Sequence, residues 1–466
     1  MAVTIQYEAD SRLALSGLSC PCPCEHRRPA QDIYVGRDLL RRIPDYIRRR
    51  GLGERCVLVA DENTDRVAGR QAAGVLRAAG FTVDLCMLRR EGELMPDERA
   101  CGEVLLSIRP QTDFLLSVGA GTITDVTRIN AMRTGLPFVC VGTAPSMDGY
   151  TSVVAPLLLR GVKIQRAGVC PEIIVCDLDV LATAPLHMIA SGVGDVLGKF
   201  VANVDWQLGR IINDEPYCPT CAGIVLDAAT GLMDRAPEIA ARSEAGMCAL
   251  IEALLLSGVT ILIAGHTRAV ASVEHNIAQF WEMRQLQRGK RPPQHGTSVG
   301  VATRLIWPLY ARFAGERLAS LDAADIKRRR MPRALRRRWM HYAYGEEGGA
   351  DIMAENPEDF LTWAEQSRRV RRAQARCDEI RGVLAAMPPL SRVEETMRTL
   401  HAPMTPADEG VDDWLLGLSL RCGKDYRSRY SLFKLLDECG LLEAYLEAYP
   451  FAWAESARGG ALHDIT

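Results

Sequence analysis

Short apolar runs rich in β-branched residues alternate with stretches of helical period between residues 55 and 145. This alternation predicts parallel strands that are joined by crossover helices. The predicted strands are residues 56–60, 81–87, 113–118 and 137–141, and a further β-rich patch covers residues 172–176. The amino-terminal part is therefore expected to be an α/β domain with a parallel sheet.

The pattern changes near residue 186, where long helical periods begin and β-branched runs become rare outside residues 259–263. We place a domain boundary at Pro185, so that the predicted domains cover residues 1–184 and 185–466. The second domain is expected to be all-helical to about Tyr449. Its most apolar stretch, residues 253–264, is shorter than the ~20 residues that span a bilayer and predicts a buried helix.

Composition and charge exclude some classes of protein. The chain has 466 residues, of which 48% are hydrophobic, and its formal net charge is -2. Disorder of the whole chain is excluded, and the length fits two or three domains. The balanced charge favours neither nucleic acid nor a membrane as a partner. A basic run at residues 327–338 suits a phosphate-rich polymer or, as we expect, a solvated helix face.

Fifteen cysteines are scattered along the chain, and its start lacks the basic and apolar regions of a secretory signal. Both features predict reduced thiols and a cytoplasmic location. A Cys-rich segment contains Cys20, Cys22, Cys24 and His26. It is interpreted as a second metal site, a redox-sensitive clip or a loop at the edge of the first domain. Residues 218–221 form a Cys-x-x-Cys pattern, but they follow a helical segment and do not predict redox chemistry.

A glycine-rich turn follows the third predicted strand and opens a helix. It contains Gly119, Ala120, Gly121, Thr122 and Ile123. Glycines let the backbone approach a ligand, and the free N–H groups of a helix start bind pyrophosphate. The turn predicts a dinucleotide site, although its spacing is not the full Gly-x-Gly-x-x-Gly pattern.

A second loop follows the fourth predicted strand and is rich in hydroxyl groups. It carries Thr143, Ser146 and Ser152 together with the carboxylate of Asp148. Parallel strands end at one edge of a sheet, where α/β folds bind ligands, so we expect both loops to face the same ligand. Asp61 ends the first strand at that edge and is interpreted either as a ribose ligand or as a helix N-cap.

Three residues of the second domain have the chemistry of metal ligands. Asp195, His275 and His295 offer one carboxylate and two imidazoles, which suit a borderline divalent ion with an open coordination position. Their spacing alone leaves open whether they meet, and each histidine is also explained by a structural hydrogen bond.

The order of these motifs resembles the iron-containing alcohol dehydrogenase superfamily, which includes glycerol dehydrogenase and dehydroquinate synthase. The matching motifs are Gly119-Ala-Gly-Thr-Ile-Thr-Asp, Thr143-Ala-Pro-Ser-Met-Asp-Gly-Tyr-Thr-Ser, Gly192-Val-Gly-Asp, Glu274-His and His295-Gly. Residues 195–206, 280–283 and 424–436 are most similar to its sn-glycerol-1-phosphate dehydrogenase group. The resemblance, over roughly residues 30–445, implies a Rossmann-like nucleotide-binding domain, a dehydroquinate synthase-like helical domain and a metal in the cleft between them.

The resemblance also implies residue roles. Residues 119–123 would hold the phosphates of NAD or NADP, residues 143–146 would line the nicotinamide side, and Ser152 would contact the cofactor. Asp148 and Asp195 would act as catalytic residues that contact substrate. One divalent metal, expected to be zinc with nickel or iron as alternatives, would be bound by Asp195, His275 and His295. A homodimer is implied as well.

The implied reaction is the reduction of dihydroxyacetone phosphate, or a related ketose or aldehyde phosphate, by NADH or NADPH. No side chain in the motifs is an obvious proton donor, so we expect water in that role. Gln279 stands where the group usually has a second substrate-binding histidine, and this departure leaves the exact substrate open. A sugar-phosphate cyclase-type lyase is disfavoured by Asp195, and a non-catalytic cofactor-binding relative is favoured only by Gln279.

Overall fold

The structure is a computed structural model that describes residues 4–16, 20, 22, 24, 26, 30–159, 162–356 and 361–448. Within this part of the chain, the strands β1 to β10 are Thr4–Tyr7, Leu13–Ser16, Asp32–Gly36, Arg55–Ala60, Thr82–Met87, Phe114–Gly119, Phe138–Gly142, Val154–Leu159, Val162–Ala167 and Ile173–Asp177. Six of them form a sheet in the order β3-β10-β7-β6-β4-β5, and every neighbouring pair is parallel. The expected α/β fold is thereby confirmed.

The five predicted strands correspond to β4, β5, β6, β7 and β10, each within one residue of its expected ends. The sheet has one further strand, β3, which lies at its edge beside β10. Two antiparallel hairpins, β1 with β2 and β8 with β9, were also not predicted. The partner of β3 is about 140 residues away in the chain, so the local pattern around β3 carries no signal of the pairing.

Helices cover both faces of the sheet. The helices α1 to α6 are Ile43–Arg50, Glu62–Thr64, Arg70–Ala78, Glu98–Ser107, Gly121–Thr134 and Leu178–Leu181. Alternate residues of β4 enter different cores, because successive side chains of a strand point to opposite faces. Val57 and Val59 belong to a core that includes Ile123 of α5, whereas Leu58 packs in a second core with Leu76 of α3. Both faces of the sheet are therefore buried, as all-parallel sheets require.

The remainder of the described chain is helical. The helices α7 to α21 are Leu186–Asn213, Pro219–Asp234, Ala236–Ala240, Glu244–Ala264, Val273–Gln287, His295–Ala314, Ala323–Arg329, Arg333–Tyr344, Glu346–Glu355, Trp363–Ala375, Cys377–Ala385, Leu390–Thr399, Asp413–Cys422, Leu432–Glu438 and Leu442–Glu447. The expected domain boundary at Pro185 falls directly before α7. The expected helical end at Tyr449 lies outside the described residues.

The apolar stretch that predicted a buried helix is the second half of α10. By length and composition alone α10 could cross a membrane, but 67% of its most apolar window is buried inside the fold. Leu254, Leu255 and Val259 each expose 1% or less of their surface. The stretch is therefore a buried core helix, as its apolar composition predicts.

Glycines let α7 and α12 pack at very short range. A Cβ atom added to Gly194 would collide with the carbonyl oxygen of Gly296, and one added to Gly296 would collide with that of Ser191. A side chain at either position would therefore push the two helices apart. This close packing matters for the site, because Asp195 follows Gly194 on α7 and His295 precedes Gly296 on α12.

Candidate functional site

The two predicted cofactor loops lie side by side at the carboxyl edge of the sheet. β6 ends at Gly119 and its neighbour β7 ends at Gly142. The amide of Thr143 donates a hydrogen bond to the carbonyl of Gly119 at 3.2 Å, which joins the loops directly. The sheet order reverses between β4 and β6, and such a reversal opens the crevice in which α/β folds bind nucleotides.

The glycine-rich turn ends in the helix that the sequence predicts. Ala120 is the N-cap residue of α5, and Gly121, Thr122 and Ile123 form the first turn of the helix. A Cβ atom on Gly119 would collide with the side chain of Ile123, so glycine permits the close turn from strand to helix. Gly121 and Thr122 are half-buried, which leaves this helix start open to a phosphate group.

Asp61 lies at the end of β4, across the crevice from β6. Its carboxylate accepts a hydrogen bond from the amide of Thr64 at 2.7 Å, and the Thr64 hydroxyl accepts one from the Asp61 amide at 2.9 Å. This reciprocal capping box is the alternative interpretation from the sequence, and one carboxylate oxygen is used for it. The ribose role of Asp61 stays a prediction.

A buried arginine holds the second loop in place. Arg128 of α5 is fully buried, pairs with Asp125, and donates hydrogen bonds to the carbonyls of Gly149 at 2.7 Å and Tyr150 at 3.1 Å. The hydroxyl of Ser152, by contrast, bonds within its own turn, to the carbonyl and amide of Val154. The Ser152 hydroxyl therefore bonds within the second loop itself, and its contact with the cofactor stays a prediction.

The second loop is bonded to the helix that carries the first predicted metal ligand. The hydroxyl of Ser191 on α7 donates to the carbonyl of Ser146 at 2.9 Å. The amide of Asp148 donates to Oδ2 of Asp195 at 3.0 Å, although 47 residues separate them in the chain. Cofactor loop and metal-ligand helix are thus joined in one hydrogen-bonded unit.

A buried lysine bridges the two predicted catalytic carboxylates. Nζ of Lys199 donates to Oδ2 of Asp148 and to Oδ1 of Asp195, each at 2.8 Å, and the lysine exposes only 1% of its surface. The hydroxyl of Ser257 on α10 also donates to Oδ2 of Asp148, at 2.6 Å. Asp148, whose side chain is 19% exposed, is therefore held by hydrogen bonds from two residues.

The charges in this cluster stabilise one another. Burial opposes ionisation of Asp195, but Lys199 and His275 hold the pKa of its carboxyl well below its usual range. Burial likewise opposes the charge of Lys199, but Asp148 and Asp195 hold the pKa of its ammonium above the usual value. The lysine stays protonated and the carboxylate stays ionised, and an ionised carboxylate is the form that binds a cation.

One predicted histidine ligand, His275, contacts Asp195, and the other, His295, lies beside His275. Nε2 of His275 lies 3.3 Å from Oδ1 of Asp195, and the imidazole centroids of His275 and His295 are 5.4 Å apart. Each ring is oriented by a buried carboxylate: Nδ1 of His275 lies 2.7 Å from Glu274, and Nδ1 of His295 lies 2.8 Å from Glu282. A carboxylate accepts the Nδ1 proton and leaves Nε2 as the free nitrogen for a metal.

The donor set fits a divalent metal ion. It combines an ionised carboxylate with two imidazoles that carboxylates orient, as in the metal sites of many enzymes. Gly198 contributes to this convergence, because a Cβ atom there would lie 2.9 Å from Val299 and 3.3 Å from Cε1 of His275. The chemistry of these donors therefore suits the ion that the sequence resemblance implies.

Sequence reasoning missed three parts of this site. Lys199, Glu274 and Glu282 were not assigned a role, although Lys199 follows Asp195 by one helical turn and Glu274 adjoins His275. An Asp and a Lys at i and i+4 are neighbours on a helix, so this spacing was the available signal for Lys199. Glu282 and His295 lie on different helices, so nothing local links them.

Gln279 is the predicted substrate residue that the structure leaves most isolated. It lies on α11 one turn after His275 and is half-buried. Its side-chain amide makes no hydrogen bond to another residue among those the structure describes. The structure thus places it beside the metal ligands without giving it a partner there.

Comparisons with known proteins agree with this architecture. The profile of the family described as iron-containing alcohol dehydrogenase matches residues 34–185. A glycerol-1-phosphate dehydrogenase [NAD(P)+] of Halalkalibacterium halodurans is 41% identical over 306 residues, which cover 65% of this chain and 76% of the relative. One of Geobacillus stearothermophilus is 31% identical over 432 residues, covering 91% of this chain and 98% of the relative.

Solved structures support the fold independently. Glycerol dehydrogenase from Schizosaccharomyces pombe superposes with a TM-score of 0.58 at 16% identity, covering 93% of this chain and 95% of that chain. Sulfoacetaldehyde reductase from Bifidobacterium kashiwanohense, solved in complex with NAD+, gives a TM-score of 0.59 at 14% identity, with 91% and 99% covered. At such identities the likeness concerns the fold alone.

Proposed function

Since this chain belongs to the glycerol-1-phosphate dehydrogenase family, we propose that it reduces dihydroxyacetone phosphate to sn-glycerol 1-phosphate with NADH or NADPH. The observation that carries the proposal is the hydrogen bond between the Asp148 amide and Asp195. It joins the loop beside the nucleotide crevice to a cluster whose donors suit a metal. A hydride donor and a carbonyl-binding centre can therefore meet at one cleft.

NAD(P)H would supply the hydride, and a divalent metal bound by Asp195, His275 and His295 would supply Lewis acidity toward the carbonyl. The chain itself holds the cofactor and the loop beside it in place. The first turn of α5 offers amide N–H groups to the cofactor phosphates, and the hydrogen bond from Ser191 holds the loop at Ser146 against α7. Holding both reactants in one orientation selects one face of the ketone and so fixes the handedness of the product.

We assign Lys199 the role of a positioning residue. Its two 2.8 Å hydrogen bonds fix the carboxylates of both Asp148 and Asp195. The proton that the alkoxide needs is then expected from water, as the sequence already suggested. A solvent isotope effect of unity on a chemistry-limited turnover would argue against water in this role.

Finer features of the protein are part of the same proposal. Zinc is the expected ion, because a carboxylate and two imidazoles suit it, with nickel and iron as alternatives. NAD is preferred over NADP if Asp61 faces the ribose, since its charge would repel a 2′-phosphate. All fifteen cysteines are free thiols, which supports the cytoplasm, and a homodimer follows from the sequence resemblance.

The test is oxidation of NADH and NADPH by metal-reconstituted protein, followed optically with a panel of substrates. The panel contains dihydroxyacetone phosphate, dihydroxyacetone and other small ketose or aldehyde phosphates, each with and without chelator. Chelator-sensitive turnover of dihydroxyacetone phosphate to the sn-1 product is expected. Turnover of only another phosphate would reject the substrate, and absence of turnover throughout would reject the dehydrogenase proposal.

A further inference from the structure

A second group of metal-ligand side chains lies outside the candidate active site. It consists of Cys20, Cys22 and His26 from the amino-terminal segment and Cys218 from the helical region. One ligand atom from each residue lies within 4.8 Å of all the others. We propose that this Cys20/Cys22/His26/Cys218 cluster is a structural zinc site that fastens the amino-terminal segment to the helical region.

The distances suit a tetrahedral ion. A zinc ion with Zn–S bonds of about 2.3 Å and a Zn–N bond of about 2.0 Å holds its ligand atoms roughly 3.5–3.8 Å apart. Here the sulfurs of Cys20 and Cys218 are 3.4 Å apart, and Nε2 of His26 lies 3.1 Å from the sulfur of Cys22 and 3.4 Å from that of Cys218. A few tenths of an ångström of expansion would place an ion among the four atoms.

The ring of His26 is oriented for coordination. Its Nδ1 lies 3.4 Å from the carbonyl oxygen of Ile263, near the end of α10. A carbonyl oxygen only accepts, so this hydrogen bond requires the proton on Nδ1. Nε2 then presents its lone pair to the sulfurs of Cys22 and Cys218, which is how second-shell acceptors orient metal-bound histidines.

Backbone donors also favour thiolate sulfur at this place. The amide of Cys221 donates to the sulfur of Cys218 at 3.3 Å, and the amide of Cys22 contacts the sulfur of Cys20 at 3.5 Å. Cys218 is the N-cap of α8, a helix of 16 residues, so its sulfur also lies at the positive end of a helix dipole. Amide N–H groups that face sulfur stabilise the negative charge that zinc ligands carry.

The cluster differs from the motif visible in the sequence. Cys24 belongs to the Cys-rich segment but is not a member of the group. The fourth member is instead Cys218, which follows Cys20 by 198 residues in the chain. An ion here would link the segment to the start of α8 and, through His26, to the end of α10. α10 also carries Ser257, which holds Asp148, so the proposed site stabilises the helix behind the active site.

The proposed zinc site is independent of the proposed reaction and is tested by metal content. Full-length protein purified in reductant with Zn²⁺ is analysed by elemental mass spectrometry. We expect the wild type to hold one equivalent in this cluster beyond the metal at Asp195. Cys22→Ser and Cys218→Ser should each lose that equivalent, whereas the matched control Cys24→Ser should keep it.

Substitution with Co²⁺ separates the two sites spectroscopically. Thiolate ligands give charge-transfer absorption in the near ultraviolet, which a carboxylate with two imidazoles does not. The absorption should be present in wild type, in Cys24→Ser and in Asp195→Asn, and absent in Cys22→Ser. If wild type shows no such band, or if Cys20 and Cys218 are found as a disulfide in reduced cells, the proposal is overturned. A wild type that shows the band but holds no metal at Asp195 would reject the active-site assignment and leave this proposal standing.

Discussion

Two groups of ligand-type residues in this protein are assembled in opposite ways. The interior group takes Asp148 from a loop, Asp195 and Lys199 from α7, His275 from α11 and His295 from α12. Most of its members are deeply buried and held by other side chains of the fold. The Cys20/Cys22/His26/Cys218 cluster takes three members from one short segment, and these are half-buried or exposed.

The comparison shows that one group of ligand-type residues can be brought together by a complete fold, whereas another group can help to stabilise the fold by binding an ion. The interior group exists only after four elements have packed, so its geometry is a product of folding that serves chemistry. The Cys20/Cys22/His26/Cys218 cluster brings the amino-terminal segment to the start of α8, so an ion there would contribute directly to the stability of the fold. Substitutions in the two groups should therefore show their effects in different measurements, of turnover for the interior group and of stability for the Cys20/Cys22/His26/Cys218 cluster.

The largest expected effect concerns Asp195→Asn. The substitution keeps the volume but removes the charge that binds the metal and pairs with Lys199. Turnover should fall by more than the roughly 10–100-fold typical of residues that only support a ligand. Metal content should drop by one equivalent while circular dichroism remains that of wild type. Normal metal content with retained turnover would remove Asp195 from the site, and His275→Ala is expected to behave in the same way.

Lys199→Met tests the positioning role. Without the ammonium, the carboxylates of Asp148 and Asp195 face each other in a buried place, and breaking a buried ion pair costs about 3–5 kcal/mol. The free energy of unfolding should fall by that order in denaturant titrations, and kcat should fall with it. Lys199→Arg serves as the control that restores charge. A Met variant with unchanged stability and kcat would contradict the assignment.

Glu282→Gln addresses the orientation of His295. Glu282 is buried and accepts from Nδ1 of that histidine, so a neutral amide weakens the support of the ring. We expect a loss of roughly 10–100-fold in metal affinity. Competition with a chromogenic chelator measures it, with Glu347→Gln on the exposed side of α15 as control. Equal affinities of variant and wild type would mean that His295 needs no such support.

A smaller effect is expected from Cys22→Ser. Its melting temperature should fall relative to Cys24→Ser. Added Zn²⁺ should raise the melting temperatures of wild type and Cys24→Ser by more than that of Cys22→Ser, because a ligand stabilises the state that binds it. Since the two groups share no residue, the double variant Cys22→Ser/Asp195→Asn should show additive loss. A loss that is far from additive would show that the two groups are coupled.

The smallest effect concerns Gln279→His. An imidazolium would offer a charge-assisted hydrogen bond to a phosphate or hydroxyl, which the amide cannot. We expect KM for dihydroxyacetone phosphate to fall by a factor of about ten at most, with kcat nearly unchanged. Steady-state kinetics with phosphorylated and unphosphorylated substrates measure this. Identical KM values would remove position 279 from the substrate pocket.

Much of this molecule follows from local patterns. The runs at residues 56–60 and 138–141 are apolar and β-branched, so they form buried parallel strands whatever their neighbours are. The glycine at 119 predicts a close strand-to-helix turn, because a side chain there would collide with Ile123. The sequence by itself thus determined five of the six strands of the sheet, the helical second half, the two loops at the sheet edge and the ligand types of Asp195, His275 and His295.

Only the tertiary structure decided which of these residues meet. That Lys199 bridges Asp148 and Asp195, and that Cys218 rather than Cys24 completes the Cys20/Cys22/His26/Cys218 cluster, depends on how elements far apart in sequence pack against one another. Periodicity reports on one element at a time, whereas a contact across 198 residues is set by the packing of whole elements. For that physical reason the sequence identifies the ligand-type residues, whereas the packing of the folded chain decides which of them come into contact.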